Sequence, residues 1–519
     1  MHELRVAVET EASRDEAAQA VASVMPEARL EPLFIEEPGA GPSSYVVVAA
    51  SDQPVGTPAH ARQAHTLAQL LLDTGQFARA EADVPVRAFD RPEGVGAFGD
   101  APAPPGSDKQ WARSAIRCAE AWALTPPPGG QSRGEGIRIG HPDTGYTEHE
   151  GLGLAALDLL ADHDFMDGDD DARDPLLSAG PLGNPGHGTA TGSVIAGRGT
   201  EEQGVVGVAP AATLVPIRAV NSVVLLPGTN VIQAIEHARH VNCHVVSMSL
   251  GGLGLFGLRQ AIQRAVDQGM IVMAAAGNRV GLVVEPASYD NCIAVAAIGV
   301  GDIRWEGSSR GSQVDVSAPG QAVHVASFAL TPPPPRPTVG PGSGTSYAVA
   351  HLAGVAALWL AFHGRDAIVA RYGARVQAVF LHLLKTVGHR VPADWDDAWG
   401  VGVVDAEALL RAPLPDPDEV PEGVGAFGTG DDPVARLAAL LADADPVAVR
   451  AALAARFNAA GPELDTLLQR FEGELAYHVV EDDAFRESLL AAVASDAPDA
   501  GERVVPVASS PHLEAALTG

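Results

Sequence analysis

Between Gly134 and Glu150 the chain reads GEGIRIGHPDTGYTEHE. The apolar run Ile137 to Ile139, bounded by glycines, has the form of a short strand buried on both faces, as strands of parallel sheets are. It predicts that Asp143 is delivered at the strand's carboxyl end, where the active sites of open α/β sheets collect. Outward from it the same kind of segment recurs. ATLVPIRAV, NCHVVSMSL, MIVMAAAG and CIAVAAIGV all lack polar alternation, and helical runs such as NVIQAIEHARHV and LRQAIQRAVDQG separate them. Residues 109–412 therefore predict an α/β domain built on a doubly wound, mostly parallel sheet.

The flanks read differently. Residues 1–90 run LRVAVE, SRDEAAQAVASVM, ARLEPLFI, SSYVVVAA, HARQAHTLAQLLLDTGQF and ARAEADVPVRAF, which is β-α-β-β-α-β and predicts a small ferredoxin-like α+β module. Gly/Pro-rich linkers follow at 91–108 and 413–432, and amphipathic helices predict a small helical domain over 433–519. The octapeptide PEGVGAFG occurs twice, at Pro92–Gly99 and Pro421–Gly428. It is either a reused flexible spacer or a motif that one groove recognises through Phe98 and Phe427, with self-cleavage near Gly99.

The triplet Asp-Thr-Gly also occurs twice, and paired copies mark the pepsin-like aspartic proteases. The first copy ends a helical pattern whose apolar face is Ala61, Ala64, Leu67, Leu70 and Leu71, with Gly75 as the cap that stops it. Asp73 and Thr74 then fall in a fraying last turn, and only Asp143 is left as a candidate for chemistry.

A chain of 519 residues holds three or four domains on length alone. Its 34 Lys and Arg stand against 65 Asp and Glu, a formal charge of -31, which repels nucleic-acid backbones and anionic membranes as partners. The amino terminus has no basic stretch followed by an apolar one, and apolar runs such as HLAGVAALWLAF are too short to span a bilayer. Three scattered cysteines, Cys118, Cys243 and Cys292, offer neither a disulfide framework nor a zinc site and fit a reducing compartment, so a cytoplasmic location is expected.

Forty-four residues after Asp143 comes GNPGHGTATGSVIAG with His187, and far downstream GPGSGTSYAVAHLAGVAAL with Ser346 opening a helix. Each motif alone is more often a turn or a helix cap than a site. In the order Asp, His, Ser, on these elements, they resemble the subtilisin-like serine proteases (subtilases). The physical logic agrees: a serine hydroxyl is a poor nucleophile until a neighbouring imidazole takes its proton, and a buried carboxylate fixes that imidazole's tautomer. GVVGVAPAATLVPIRAV and WGVGVVDAEALL also match family segments.

The resemblance implies an endopeptidase acting on protein or peptide substrates through an acyl-enzyme on Ser346, with His187 as base and Asp143 orienting it. Asn278, at the end of MIVMAAAGN, would donate to the oxyanion. Ser249, Leu250 and Gly251 would pair with an extended substrate, and Ala275, Ala276 and Gly277 would form the opposite wall of the specificity pocket. Val284 stands where the family often has glycine at the pocket floor, which predicts a shallower pocket. Further departures are His141 and Pro142 before the Asp, Tyr347 after the nucleophile, and Ala350 in its helix. The N-terminal module resembles the family's inhibitory propeptide, an intramolecular inhibitor, while the helical tail is left open to a protein partner. Calcium stabilises many relatives, but the acidic loop DHDFMDGDDDARD (Asp162 to Asp174) fails the EF-hand template and reads as a solvated loop, so no cofactor or metal site is expected. The alternative, a silent peptide-binding scaffold of the same fold, would need a damaged set of reacting groups, and none is missing.

Overall fold

The computed structural model describes residues 2–35, 43–86, 108–177, 183–223, 228–420, 432–442, 444–495 and 504–518; both PEGVGAFG copies, with Phe98, Gly99 and Phe427, lie outside them. Among the described residues the central sheet has nine strands. In spatial order they are His389–Arg390, Val403–Val404, Val316–Pro319, Ile293–Ile298, Ile271–Ala275, Val245–Met248, Arg138–Asp143, Thr213–Arg218 and His163–Asp164. Every neighbouring pair is parallel except the first. The five strands expected from sequence are the long central ones. From Arg138–Asp143 the chain winds to one side through Thr213–Arg218, then returns to the other through Val245–Met248. The crevice between those directions is the switch point at which ligands of such sheets bind.

The helix Thr345–His363 runs through the core, buried almost end to end. At 19 residues and a mean hydropathy of 1.5 it is long and apolar enough to cross a bilayer, contrary to the reading of HLAGVAALWLAF as too short, because the helix begins well before that run. Its apolarity is that of a core element. Trp359 packs edge-on against Phe380 at 5.5 Å, and a Cβ on Gly354 would fall 2.5 Å from the Val208 Cβ, so only glycine lets these segments approach. An antiparallel pair, Val323–Ala329 with Arg336–Gly342, was not foreseen. Its second strand tolerates Pro337 and Pro341 because nothing pairs on its far side among the described residues.

The N-terminal module is a four-stranded antiparallel sheet in the order Arg29–Pro32, Ser43–Ser51, His2–Thr10, Arg79–Ala82, backed by the helices Arg14–Val24 and Pro58–Asp73. Strand period two sends Val6, Val8, Val47 and Ala49 to the helices, while Ala7, Val46 and Val48 join a core shared with Ile232 and Ile262 of the central domain. Both faces are covered, which is why SSYVVVAA is apolar without alternation. Just beyond the last strand, Asp83 accepts from the backbone N–H of Gly228 (2.8 Å) and Thr229 (3.0 Å) at the start of the helix Gly228–His240. Glu81, two residues earlier and so on the same side of the chain, accepts from Phe256 N (2.7 Å) at the start of the helix Phe256–Asp267. Two carboxylates thus satisfy the exposed N–H groups and dipoles of two neighbouring helices.

The expected apolar face of Pro58–Asp73 needs correction. Leu70 is 40% exposed, whereas His65, Ala68 and Gln69 are buried. Gly75 does close the helix, at φ +69°. Asp73 is engaged, not frayed: Arg470 Nη2 lies 2.6 Å from its Oδ1 and His512 Nε2 2.9 Å from its Oδ2. Both partners belong to the tail.

That tail folds as the helices Pro433–Leu440, Pro446–Phe457, Gly461–Glu481, Asp483–Val493 and Pro511–Thr518. Asp432 and Asp445 cap the first two, each followed by the proline that suits a first helical position. The segment 413–420 is not a free spacer. Its Pro415 carbonyl accepts from Arg371 and Tyr372, and Val420 is buried in the central core.

Burial leaves His65 and His351 with pKa values of about 4, mainly through desolvation. An unfolded histidine titrates near 6.5, so between about pH 6.5 and 4 the unfolded chain binds protons that the folded chain refuses. Stability at these two positions is complete above about pH 6.5 and is lost as the pH falls toward 4, by up to about 1.4 kcal/mol per pH unit for each group. Denaturant midpoints at pH 7.5 and 5 should show this fall, and His351→Phe should reduce it; an undiminished fall would contradict the assignment to His351.

Candidate active site

Asp143 is the last residue of its strand and is wholly buried. Its Oδ1 accepts from Thr144 N at 2.7 Å and from His187 Nδ1 at 2.7 Å. Its Oδ2 accepts from Thr191 Oγ1 at 3.3 Å and lies 3.7 Å from His141 Nε2. Burial alone would raise this carboxyl; the charge and hydrogen bond of His187, with His141 and the Thr144 N–H, outweigh it and hold Asp143 below the ordinary carboxylate range. His141 is held low by its own burial, against the pull of Asp143, and so is neutral near pH 7. It therefore meets Thr191 (3.0 Å) as a neutral ring behind the carboxylate, a contact its strand-end position did not settle.

His187 opens the helix His187–Ala196, and the turn that delivers it is built from small residues. Gly186 sits at φ +81°, and a Cβ on Gly188 would fall 2.1 Å from the Gly145 carbonyl oxygen. Asp174, which burial pushes up, organises this turn by accepting from Gly186 N (2.7 Å) and Thr144 Oγ1 (2.8 Å); Thr144 Oγ1 in turn accepts from Gly188 N (3.1 Å). Sequence reading assigned no role to Asp174 or Thr144, although Thr144 stands in the Asp-Thr-Gly triplet and Asp174 ends the acidic loop.

Ser346 is the second residue of its helix, which packs against both the helix of His187 and the strand of Asp143. Its Oγ lies 3.3 Å from the Ser249 carbonyl, and its own carbonyl accepts from Ser249 Oγ at 3.0 Å. The neighbouring Thr345 fixes Asn278: Thr345 N and Oγ1 both donate to Asn278 Oδ1, at 2.9 and 3.0 Å. That leaves Asn278 Nδ2 buried without an acceptor among the described residues. A buried amide donor left unmet costs stability, and at the edge of the cavity it can be met by an acceptor on a bound molecule.

One cavity gathers the rest. Ser249, Leu250, Gly251, Ala275, Gly277, Asn278, Val284 and Ser346 line it, with Val223, Val280 and Thr345, which sequence reading missed. Ala276 is a correction. Alternation along the chain turns its side chain away, into the core on the sheet's other face, while Ala275 and Gly277 face the cavity. Val284 stands between the walls: a Cβ on Gly251 would fall 2.3 Å from one of its methyls, and one on Gly277 3.0 Å from the other.

The acidic loop does not suit calcium. Arg218 Nη1 lies 2.6 Å from Asp164 Oδ2 and 2.5 Å from Asp167 Oδ2, so a guanidinium sits among the carboxylates. Asp164 Oδ1 accepts from the N–H of Met166 and Asp167, and Asp162 from that of Ala172. Among the described residues no group of three or more His, Cys, Asp or Glu is arranged to hold a metal.

Comparison with known proteins agrees with this geometry. The model of the Subtilase family matches residues 134–402. Thermitase of Thermoactinomyces vulgaris is 34% identical over 264 residues, 50% of this chain and 85% of the relative. Subtilisin E of Bacillus subtilis (strain 168) is 38% identical over 183 residues, 34% of this chain and 46% of the relative. Among solved structures, fervidolysin of Fervidobacterium pennivorans, a keratinolytic enzyme related to subtilisin, has a TM-score of 0.54 at 20% identity, covering 80% of this chain and 62% of its own, a likeness of fold. With over half its length matched by the family model and most of thermitase's length spanned, the chain belongs to the subtilase family and is a serine endopeptidase.

Proposed function

We propose that Ser346 is the nucleophile of this endopeptidase, His187 its general base, Asp143 the carboxylate that orients the base, and Asn278 the oxyanion donor. The observation that carries the assignment is Asn278, whose Oδ1 is tied to Thr345 beside the nucleophile while its buried Nδ2 has no acceptor among the described residues. With Nδ1 of His187 donating to Asp143, Nε2 is the atom that takes the Ser346 proton as Oγ bonds to the peptide carbonyl carbon. Charge moves onto the carbonyl oxygen, where Asn278 Nδ2 and the Ser346 N–H meet it. The carbon–nitrogen bond then breaks, His187 returns the proton to the leaving amine, and water, activated by the same ring, hydrolyses the ester.

The N-terminal module is proposed as the inhibitor of a zymogen, released from covalent attachment by cleavage between it and the peptidase domain. Its seating on two helix starts through Glu81 and Asp83 supports this reading. A cytoplasmic setting is proposed as well, supported by three cysteines that are all buried free thiols.

Ser346→Ala should lower turnover by on the order of 10⁶, the size known for removal of the subtilisin nucleophile. Mass spectrometry should find that variant intact where wild type is cut; equal intact masses would defeat the zymogen reading. Asn278→Ala should lower kcat by about 10² to 10³ with little change in KM, the range measured for subtilisin's own donor. An unchanged kcat would remove Asn278 from the role. Val284→Gly should raise kcat/KM for aromatic over alanine residues before the scissile bond by roughly tenfold or more, given what added methylenes contribute in an apolar pocket. A panel of fluorogenic peptides reads this out, and an unmoved preference would show that Val284 does not set the floor.

A further inference from the structure

The helical tail packs against the N-terminal module, with its helix Gly461–Glu481 against the strand Arg79–Ala82 and its helix Pro511–Thr518 against the helix Pro58–Asp73. We propose that the tail is a clasp whose partner is the N-terminal module of the same chain: it holds the module on the peptidase domain without need of the covalent connection between them. The proposal rests on the reading of the module as inhibitor only for its consequence, which is that a cut chain stays latent until the clasp opens.

Arg436 is the first support. It belongs to the tail helix Pro433–Leu440 and is buried to 9% side-chain exposure, in contact with all three units. Its Nε and Nη2 form a fork on Glu285 of the peptidase domain at 3.0 and 3.1 Å. Its Nη1 donates to Glu81 of the module and to Glu472 of the tail, both at 3.3 Å. Burying a guanidinium is unfavourable unless its donors are met, and here they are met by three separate units. Glu81 is also the residue that caps Phe256–Asp267, so one carboxylate serves both the seat and the clasp.

The second support is apolar. The module's helix Pro58–Asp73 is covered on two sides, by its own sheet and by the tail. Leu67 and Leu71 lie in one continuous core with Leu468, Phe471 and Leu475 of the tail helix Gly461–Glu481. That helix comes close because it carries Gly473 where a Cβ would fall 2.3 Å from Glu81 Oε1. A module of this size is marginal by itself, and the shared core supplies the burial it lacks. At the rim, Arg470 reaches Gln69 (2.7 Å) and Asp73 (2.6 Å), and Arg62 reaches Glu514 (2.8 Å).

The test uses the full chain carrying Ser346→Ala, with a site for an exogenous sequence-specific protease placed between Val86 and Asp108. After cutting, retention of the module is followed by size-exclusion chromatography and its dissociation rate by dilution. The module should co-elute with the remainder. Arg436→Met should speed dissociation tenfold or more and Arg470→Ala severalfold. Arg29→Ala, whose pairs to Glu3 and Glu31 lie within the module, should leave the rate unchanged. Equal rates in all four chains would overturn the proposal. Should Arg436→Met fail to fold by circular dichroism, Arg470→Ala against Arg29→Ala decides it. In a chain with Ser346 intact, full peptidase activity with the module still bound would refute the inhibitor reading and leave the clasp standing.

Discussion

The buried Asp143 carboxylate constrains the whole site. A charge withdrawn from water at the end of a core strand must be met by fixed donors, and four groups converge on it: Thr144 N, His187 Nδ1, Thr191 Oγ1 and, at longer range, His141 Nε2. Meeting them fixes the start of the His187 helix, and that in turn requires glycine at 186 and 188. The imidazole is then held with Nδ1 committed to Asp143, which fixes its orientation. The arrangement of the loops around this strand end follows from satisfying one ion inside an apolar sheet.

A parallel demand shapes the other two units. The module's sheet is apolar on both faces and its second helix is buried beyond one face, so each has apolar surface that the module alone does not cover. The peptidase domain covers the sheet and the tail covers the helix. At the seam, charges are placed where helix starts or a buried guanidinium need them: Asp83 and Glu81 at two helix N-termini, and Glu81, Glu285 and Glu472 around Arg436. Such pairs specify position more than they add stability, because the desolvation they require offsets much of the attraction.

What was legible in the sequence was local. Apolar runs without polar alternation marked the five central strands, and His187, Ser346 and Asn278 stood out because their short motifs occur together in the order of the subtilases, although each motif alone reads as a turn or cap. What was not legible depends on partners distant in the chain. Ala276 reads like its neighbours Ala275 and Gly277, and only strand alternation against the core turns it away. The strands Val403–Val404 and His389–Arg390 are too short to show a period, and Val316–Pro319 is broken by Ser317 and ends in proline. Gln69 looks exposed, and the tail, some four hundred residues away, buries it against Arg470; Leu70 looks like a core leucine but lies on the side of the helix left 40% exposed. Nothing near Arg436 in sequence reveals that its carboxylates come from residues 81, 285 and 472.

The two Asp-Thr-Gly triplets make the same point in three letters. For an aspartic protease dyad, Asp73 and Asp143 would have to share a proton, which requires two carboxylates in contact. Each is instead committed elsewhere: Asp143 to His187 and Thr144, Asp73 to Arg470 and His512. The glycines differ in the same way. Gly75 has nothing within 4 Å of where a Cβ would stand, so only its positive φ requires glycine, whereas a Cβ on Gly145 would fall 2.1 Å from the Ala172 carbonyl oxygen. One triplet ends a helix; the other is pressed between loops that must meet closely for His187 to reach Asp143. Identity of sequence carries chemistry only where the surroundings withdraw the carboxylate from water and offer it a base to orient.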